Sequence, residues 1–510
     1  CDGQLKTKSG IATALEVTNG AAFSQMTEEG AQKTQILIDG HICHSTRDFT
    51  EQDPIITGLK WGDGTELAPT HKAAMRLFLR QVMLQYALIA AFNQGTKINW
   101  RVTFPNTASF DEHGFKECVQ DSAEWIAEET GIELGTVELF TESQAAGAFF
   151  IAAGLTALSD GFLCADVGGG STDVSLWLDD KNSPQREFSV VIGGRNILTE
   201  AIYHGFLRSL KRGETNCPEE EFLKRAANAQ AASSDEMLKS IADKDLMRVA
   251  MLREMVVRQA GSADNMPQAF SLIVDLMCAN HANDLMAQFN RGGAACPSVY
   301  ESIRFNFASI IYLIAENARR FTQATGRVLN QGGMMRLFFA GNGGSFYNWL
   351  TPEDRNVVCK VFGYVYGMQK TTAEMVKRSR NPKTEVAIGV HSLNEALARG
   401  GAGYVHMAAG IADPYAMEDD MAYVETQRQP EAQPIEVPSR QDRVLEFLAI
   451  YESITKAPWL APYINENGQC SDRMTITGKL NAFDSGVSDE VALSECFKHV
   501  FNVWYWGGHV

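Results

Sequence analysis

Apolar positions along this chain recur in two rhythms, a helical one and a period-two one, and the rhythms alternate. Residues 71–92, "HKAAMRLFLRQVMLQYALIAAF", repeat at helical spacing. "INWRVTFPN" (98–106) reads as a strand ending at Pro105, and a helix is expected over about 111–130. "TVELF" (136–140) is a strand, and the small-residue run "TESQAAGAFFIAAGL" (141–155) is helical. Strands alternating with helices predict an α/β sheet with crossover connections. Residues 1–65 read as short strands and turns, among them "TALEV" and "TQILIDG".

"FLCADVGGGSTDVSLWL" (162–178) breaks this alternation. Phe162 to Val167 is a strand, and Thr172 to Leu178 alternates, with Val174, Leu176 and Leu178 on one face. The glycines therefore join strand to strand. A P-loop or a dinucleotide fingerprint joins strand to helix at other spacings, and neither is present. Further on, residues 214–325 are largely helical, "MRLFFAGNGGSFYNWL" (335–350) is a strand leading into a Gly-rich turn, and "KTEVAIGVHSLNEALARGG" (383–401) is a helix. Residues 424–440 hold three prolines and read as a linker or exposed loop; a small helical region follows over 441–510.

Composition narrows the function. The chain has 510 residues, 45% of them hydrophobic, which suits more than one domain with a large core. The formal charge of −17, with no basic block, argues against capture of nucleic acid or an anionic membrane. Arg76 and Arg80 interrupt the apolar helix 71–92, which makes it a buried amphipathic helix rather than a membrane span. The ten cysteines are scattered without C-x-x-C spacing, as free thiols of a reducing cytosol would be. His41, Cys43 and His44 in "HICH" lack a second ligand cluster and read as a polar strand end. The methionines of 214–325, Met237 and Met277 among them, suit core filling; a partner groove is the alternative.

The hairpin carries the candidate chemistry. Gly168, Gly169 and Gly170 let a phosphate approach the backbone, and consecutive N–H groups can hold its oxygens. Ser171 adds a hydroxyl. Asp166 and Asp173 would repel a bare phosphate, so they make sense with Mg²⁺ or a water between. Glu142, at the end of a strand, could face the same site or could be a helix N-terminal charge. Gly193 and Gly194 in "VIGGRNILTEAI", then Gly341, Gly343 and Gly344 in "AGNGGS", add two more Gly-rich turns after strands. That order suits one site holding a nucleotide.

"ADVGGGSTDVSL" resembles the second phosphate motif of the actin-like ATPase superfamily, which includes actin, the seventy-kilodalton heat-shock chaperones and many sugar kinases. "FTESQAAGA" resembles its first connecting motif, "LFFAGNGGSF" its adenosine motif and "KTEVAIGV" its final connecting helix. The resemblance implies a two-lobed, ribonuclease H-like α/β fold: lobe I over 1–160, and lobe II over 161–410 with a helical insertion at 214–325. It implies bound ATP and Mg²⁺ and a protein partner or client moved by lobe closure. By matching position, Asp166 and Glu142 would act on the attacking water, with Asp166 and Asp173 near the metal. Gly168, Gly169, Gly170 and Ser171 would bind the β- and γ-phosphates. Gly193, Gly194, Gly341, Gly343 and Gly344 would approach ribose and adenine.

The sequence departs from the family in two places. Arg195 stands where an acidic residue usually follows the glycine pair. The family's first phosphate hairpin is not found; "LIDGH" lacks its paired hydroxyl residues, and the Cys1 start leads us to expect that hairpin upstream. An exopolyphosphatase-type phosphohydrolase and a non-catalytic actin-like scaffold are the alternative functions.

Overall fold

The computed structural model describes residues 69–106, 111–156, 161–177, 183–259, 266–289, 295–326, 336–368, 371–379, 385–393, 440–457, 493–498 and 500–501. The expected strands of 1–65, the "HICH" stretch and the 424–439 part of the linker lie outside these residues, as does Leu178. The fold is mixed α/β, and the described residues fall into two compact units.

The first unit holds α1 (Pro69–Phe92), β1 (Lys97–Phe104), α2 (Glu112–Thr130), β2 (Glu133–Thr141), α3 (Glu142–Ala152) and α10 (Glu385–Ser392). Strands β1 and β2 pair in parallel, joined by the crossover helix α2. That helix forms because its apolar positions keep helical spacing: Phe115, Cys118, Val119, Ala123 and Ile126 are all buried. Asp111 caps its start, accepting from Gly114 N at 2.7 Å, and Gly131 ends it in the left-handed conformation. Helix α1 covers the same core with Met75, Leu79 and Met83. Its arginines face partners on α2: Arg76 pairs with Asp121 at 2.8 Å, and Arg80 lies over the Trp125 ring. No helix among the described residues is long and apolar enough to cross a membrane.

Helix α10 falls within this first unit. The reason is a close approach. A Cβ on Gly389 would stand 1.8 Å from the Ala145 carbonyl oxygen, so α10 lies directly on the small-residue face of α3. Arg101 clamps its end, donating to Val390 O at 3.0 Å and Leu393 O at 2.9 Å.

The second unit is built on a five-stranded sheet in the order β5-β4-β3-β6-β7. The strands are β3 (Phe162–Val167), β4 (Thr172–Trp177), β5 (Arg186–Val190), β6 (Arg336–Ala340) and β7 (Val376–Arg378). Strand β3 is central, antiparallel to β4 and parallel to β6. Every residue of β3 and β4 is buried. The alternation in β4 therefore does not mark a wet face. Its second face carries Asp173, Ser175 and Trp177 inward, and the Trp177 ring N–H donates to Ser175 Oγ at 2.8 Å. The helical stretch resolves into α5 (Pro218–Ala231), α6 (Glu236–Gln259), α7 (Gln268–Ala287) and α8 (Pro297–Thr325), preceded by α4 (Glu200–Lys211). Helix α8 is a core helix, with Phe307 against Phe339 of β6 and Tyr347. Met255 and Met277 fill the core, whereas Met237 and Met247 are exposed.

Helix α9 (Pro352–Tyr366) and α11 (Arg440–Thr455) pack near α8. Phe447 and Tyr451 of α11 meet Phe305 edge to face, and a buried ion pair joins Arg443 to Glu316. All seven described cysteines are free.

Candidate functional site

The hairpin between β3 and β4 is closed at its tip by Gly168 N donating to Ser171 O at 2.8 Å. Gly169 and Gly170 sit beyond that bond. Their N–H groups make no hydrogen bond to any described residue. Two adjacent amides left unsatisfied at a partly exposed tip form a small anion-binding concavity.

The glycine pair docks onto this tip. Gly194 N donates to Gly168 O and Arg195 N to Gly169 O, each at 2.8 Å. Thr172 Oγ1 donates to Ile192 O at 2.6 Å. Gly193 lies so close that a Cβ there would be 2.7 Å from Ser171 N and 2.8 Å from Gly170 N. The third segment closes from the other side. Gly341, at φ +73°, would place a Cβ 2.3 Å from Asp166 Oδ1 and 2.5 Å from Val167 O. Gly343 approaches the carbonyls of Val167 and Gly168, and Gly344 packs on Phe339. The expected Gly-rich turn at Gly341–Gly344 winds as a single helical turn, wedged between β3 and the short helical turn Ser345–Trp349.

Asp166 and Asp173 are direct cross-strand partners, so their side chains share one face. Facing carboxylates repel, and this pair is nearly buried, at 7% and 1% exposure. Hydroxyls relieve part of the cost at Asp173. Ser171 Oγ donates to its Oδ2 at 3.3 Å, and Ser189 Oγ of β5 donates to Oδ1. A plain turn has no need of such a pair.

These contacts bring Asp166, Gly168, Gly169, Gly170, Ser171, Asp173, Gly193, Gly194, Gly341, Gly343 and Gly344 together in one unit. The chain is similar in structure to the ethanolamine utilization protein EutJ from Carboxydothermus hydrogenoformans. The TM-score is 0.29 and the identity 10%, over 62% of this chain and 75% of that one. No family model and no curated protein matches the chain. The site is therefore read from its own geometry.

Glu142 belongs to the first unit, where it opens α3. A capping box made by Thr141 and Gln144 fixes its backbone, and a carboxylate in a first helical turn is favoured by the helix dipole.

Sequence reasoning missed two features of the site. Strand β5 supplies Ser189 to Asp173. The segment Arg195–Thr199 winds as a π-helix before α4, a rare form that recurs at functional sites. Asn196 inside it accepts from Gly193 N at 2.9 Å and donates to Glu200 Oε1 at 2.6 Å. Burial pushes the Glu200 carboxyl above its usual range. Arg195, noted in the sequence as a departure after the glycine pair, lies beside the tip: its guanidinium carbon would stand 4.0 Å from a Cβ on Gly169.

Proposed function

We propose that the chain binds ATP with its phosphates on the β3–β4 hairpin tip, and hydrolyses it to drive a conformational switch acting on a protein partner. One observation carries this reading. Two further glycine segments, Gly193–Gly194 and Gly341–Gly344, close backbone to backbone on the Gly-rich hairpin, and two amides at its tip keep free N–H groups. Such packing serves an oxyanion better than it serves a turn.

The residues fit Mg²⁺ as well as phosphate. Among the described residues no group of three or more His, Cys, Asp or Glu could hold a metal by itself. Mg²⁺ suits such a place, since it is usually held by one or two carboxylates, phosphate oxygens and waters. Asp166 is the carboxylate for it, or for an attacking water. Asp173, with both oxygens already accepting hydroxyls, acts through a water. When bound, the ion would neutralise charge on the transferring phosphoryl group. The chain's own part is to orient the phosphates through Gly169 and Gly170, and to hold Asp166 rigid between Asp173 and Gly341. The turn at Gly341–Gly344 lies toward the nucleoside.

Calorimetric titration of the full chain with ATP and Mg²⁺ tests the reading. Saturable binding that Gly170→Asp abolishes is expected, because a carboxylate at the tip repels phosphate. Absence of heat across the millimolar range would end the ATP reading. Equal binding of inorganic polyphosphate would move the function to the phosphohydrolase class.

A further inference from the structure

Arg195 is anchored to the hairpin by its own backbone, through N–H donation to Gly169 O at 2.8 Å. Its side chain then returns over the tip. Three guanidine atoms, Nε, Cζ and Nη2, would each lie 4.0 Å from a Cβ built on Gly169. The planar cation thus sits beside Gly169, next to the tip whose amides are unbonded.

The guanidinium is weakly committed. Its ion pair is with Asp275 of α7, Nε to Oδ2 at 3.5 Å. Both side chains are substantially exposed, at 34% and 43%, and Nε itself is buried without a hydrogen bond. A long, half-exposed pair of this kind contributes little binding, so the cation can change partners at small cost. Arginine presents a rigid fork that matches phosphate oxygens, and charge-assisted bonds of that type are strong.

Resting on the phosphate reading of the hairpin, we propose that Arg195 is a phosphate ligand, held in reserve by Asp275 and transferred to the nucleotide's phosphoryl oxygens on binding. The site is then completed by a cation of the protein's own beside the two amides. Asp275 competes with the ligand for that cation. Because Arg195 opens the π-helical turn and Asp275 sits on α7, occupancy of the tip loosens one link between the hairpin and that helix.

The test is ATP titration by calorimetry on the full chain and three variants, at low and at physiological salt. Arg195→Gln is expected to weaken ATP 10- to 100-fold, the range for a lost charge-assisted bond. Arg195→Lys should recover part of that loss. Asp275→Asn removes the competitor and should strengthen binding several-fold. A structural role for the pair differs at Asp275→Asn, since both single variants would then weaken binding. Arg195→Gln should also flatten the salt dependence. Unchanged affinity in Arg195→Gln, or weaker binding in Asp275→Asn, overturns the proposal while wild-type binding upholds the parent reading. Absence of binding by the wild-type chain overturns both. Unfolding transitions of all four proteins, matched to the wild type, exclude loss of fold as the cause.

Discussion

Gly193 and Gly194 are neighbours in sequence, yet alanine is expected to act on them in opposite directions. At Gly193 the new Cβ would lie 2.7–2.8 Å from Ser171 N, Gly170 C and Gly170 N. These are backbone atoms and cannot swing aside. Overpacking of this kind costs about 1–3 kcal/mol. Replacing glycine also restricts the unfolded chain, which returns about 0.4–1 kcal/mol. At the midpoints of these ranges the net loss for Gly193→Ala is about 1.3 kcal/mol. At Gly194 the nearest atoms to a Cβ are 3.4–3.6 Å away, ordinary contact, and the backbone is right-handed helical at φ −55°, ψ −33°. Only the unfolded-chain term remains, so Gly194→Ala should stabilise by about 0.4–1 kcal/mol. Urea unfolding reads both, at the transition that exposes buried Trp177, as midpoint shifts at constant slope. Shifts of the same sign, or a neutral Gly193→Ala, would refute the claim that the glycine pair seats directly on the hairpin tip.

Other outcomes follow from the same coordinates. Burial lowers the His204 imidazole from 6.5 to about 4, so it is neutral when folded while the unfolded chain takes up a proton. Stability from this group is present above pH 6.5 and is lost as pH falls toward 4. The full shift corresponds to about 3 kcal/mol, partial exposure of the ring keeps the loss below that, and His204→Gln should flatten this part of a pH–stability curve. Arg443→Met leaves the buried Glu316 carboxylate without one of its two arginines, and should cost about 3 kcal/mol by thermal unfolding. Gly389→Ala would drive a Cβ into the Ala145 carbonyl and push α10 off α3. It should destabilise the first unit by about 3 kcal/mol or more, read by proteolysis of residues 385–393.

Much of the hairpin was legible because its signals are local. Three glycines between two apolar runs set the strand ends, and the observed strands stop at Val167 and start at Thr172 as expected. Helices 71–92 and 111–130 were legible from periodicity, and they run Pro69–Phe92 and Glu112–Thr130. Strand β5 was legible only as the strand before a glycine pair; the part of Ser189 escaped notice because five residues that mix Glu187 and Ser189 with Phe188 and Val190 do not announce a strand buried on both faces. The turn at Gly341–Gly344 was legible as a turn but not as a helical one, because glycine is a poor helix former. Its helical wind is imposed by contacts with Val167 and Phe339, which lie far away in sequence. The placement of α10 rests on Gly389 against Ala145, a pair that no local pattern announces. Arg195 was visible only as an unusual letter after a glycine pair. Its meaning depends on Gly169 beneath it and Asp275 beside it.

The central claim is that the amides of Gly169 and Gly170 hold phosphate oxygens. Amide hydrogen exchange on the peptide spanning 162–177, with and without ATP and Mg²⁺, tests it most directly. The account predicts that ATP slows exchange at Gly169 and Gly170, whose N–H groups are otherwise unbonded. ATP that binds while these two amides exchange at an unchanged rate would contradict it.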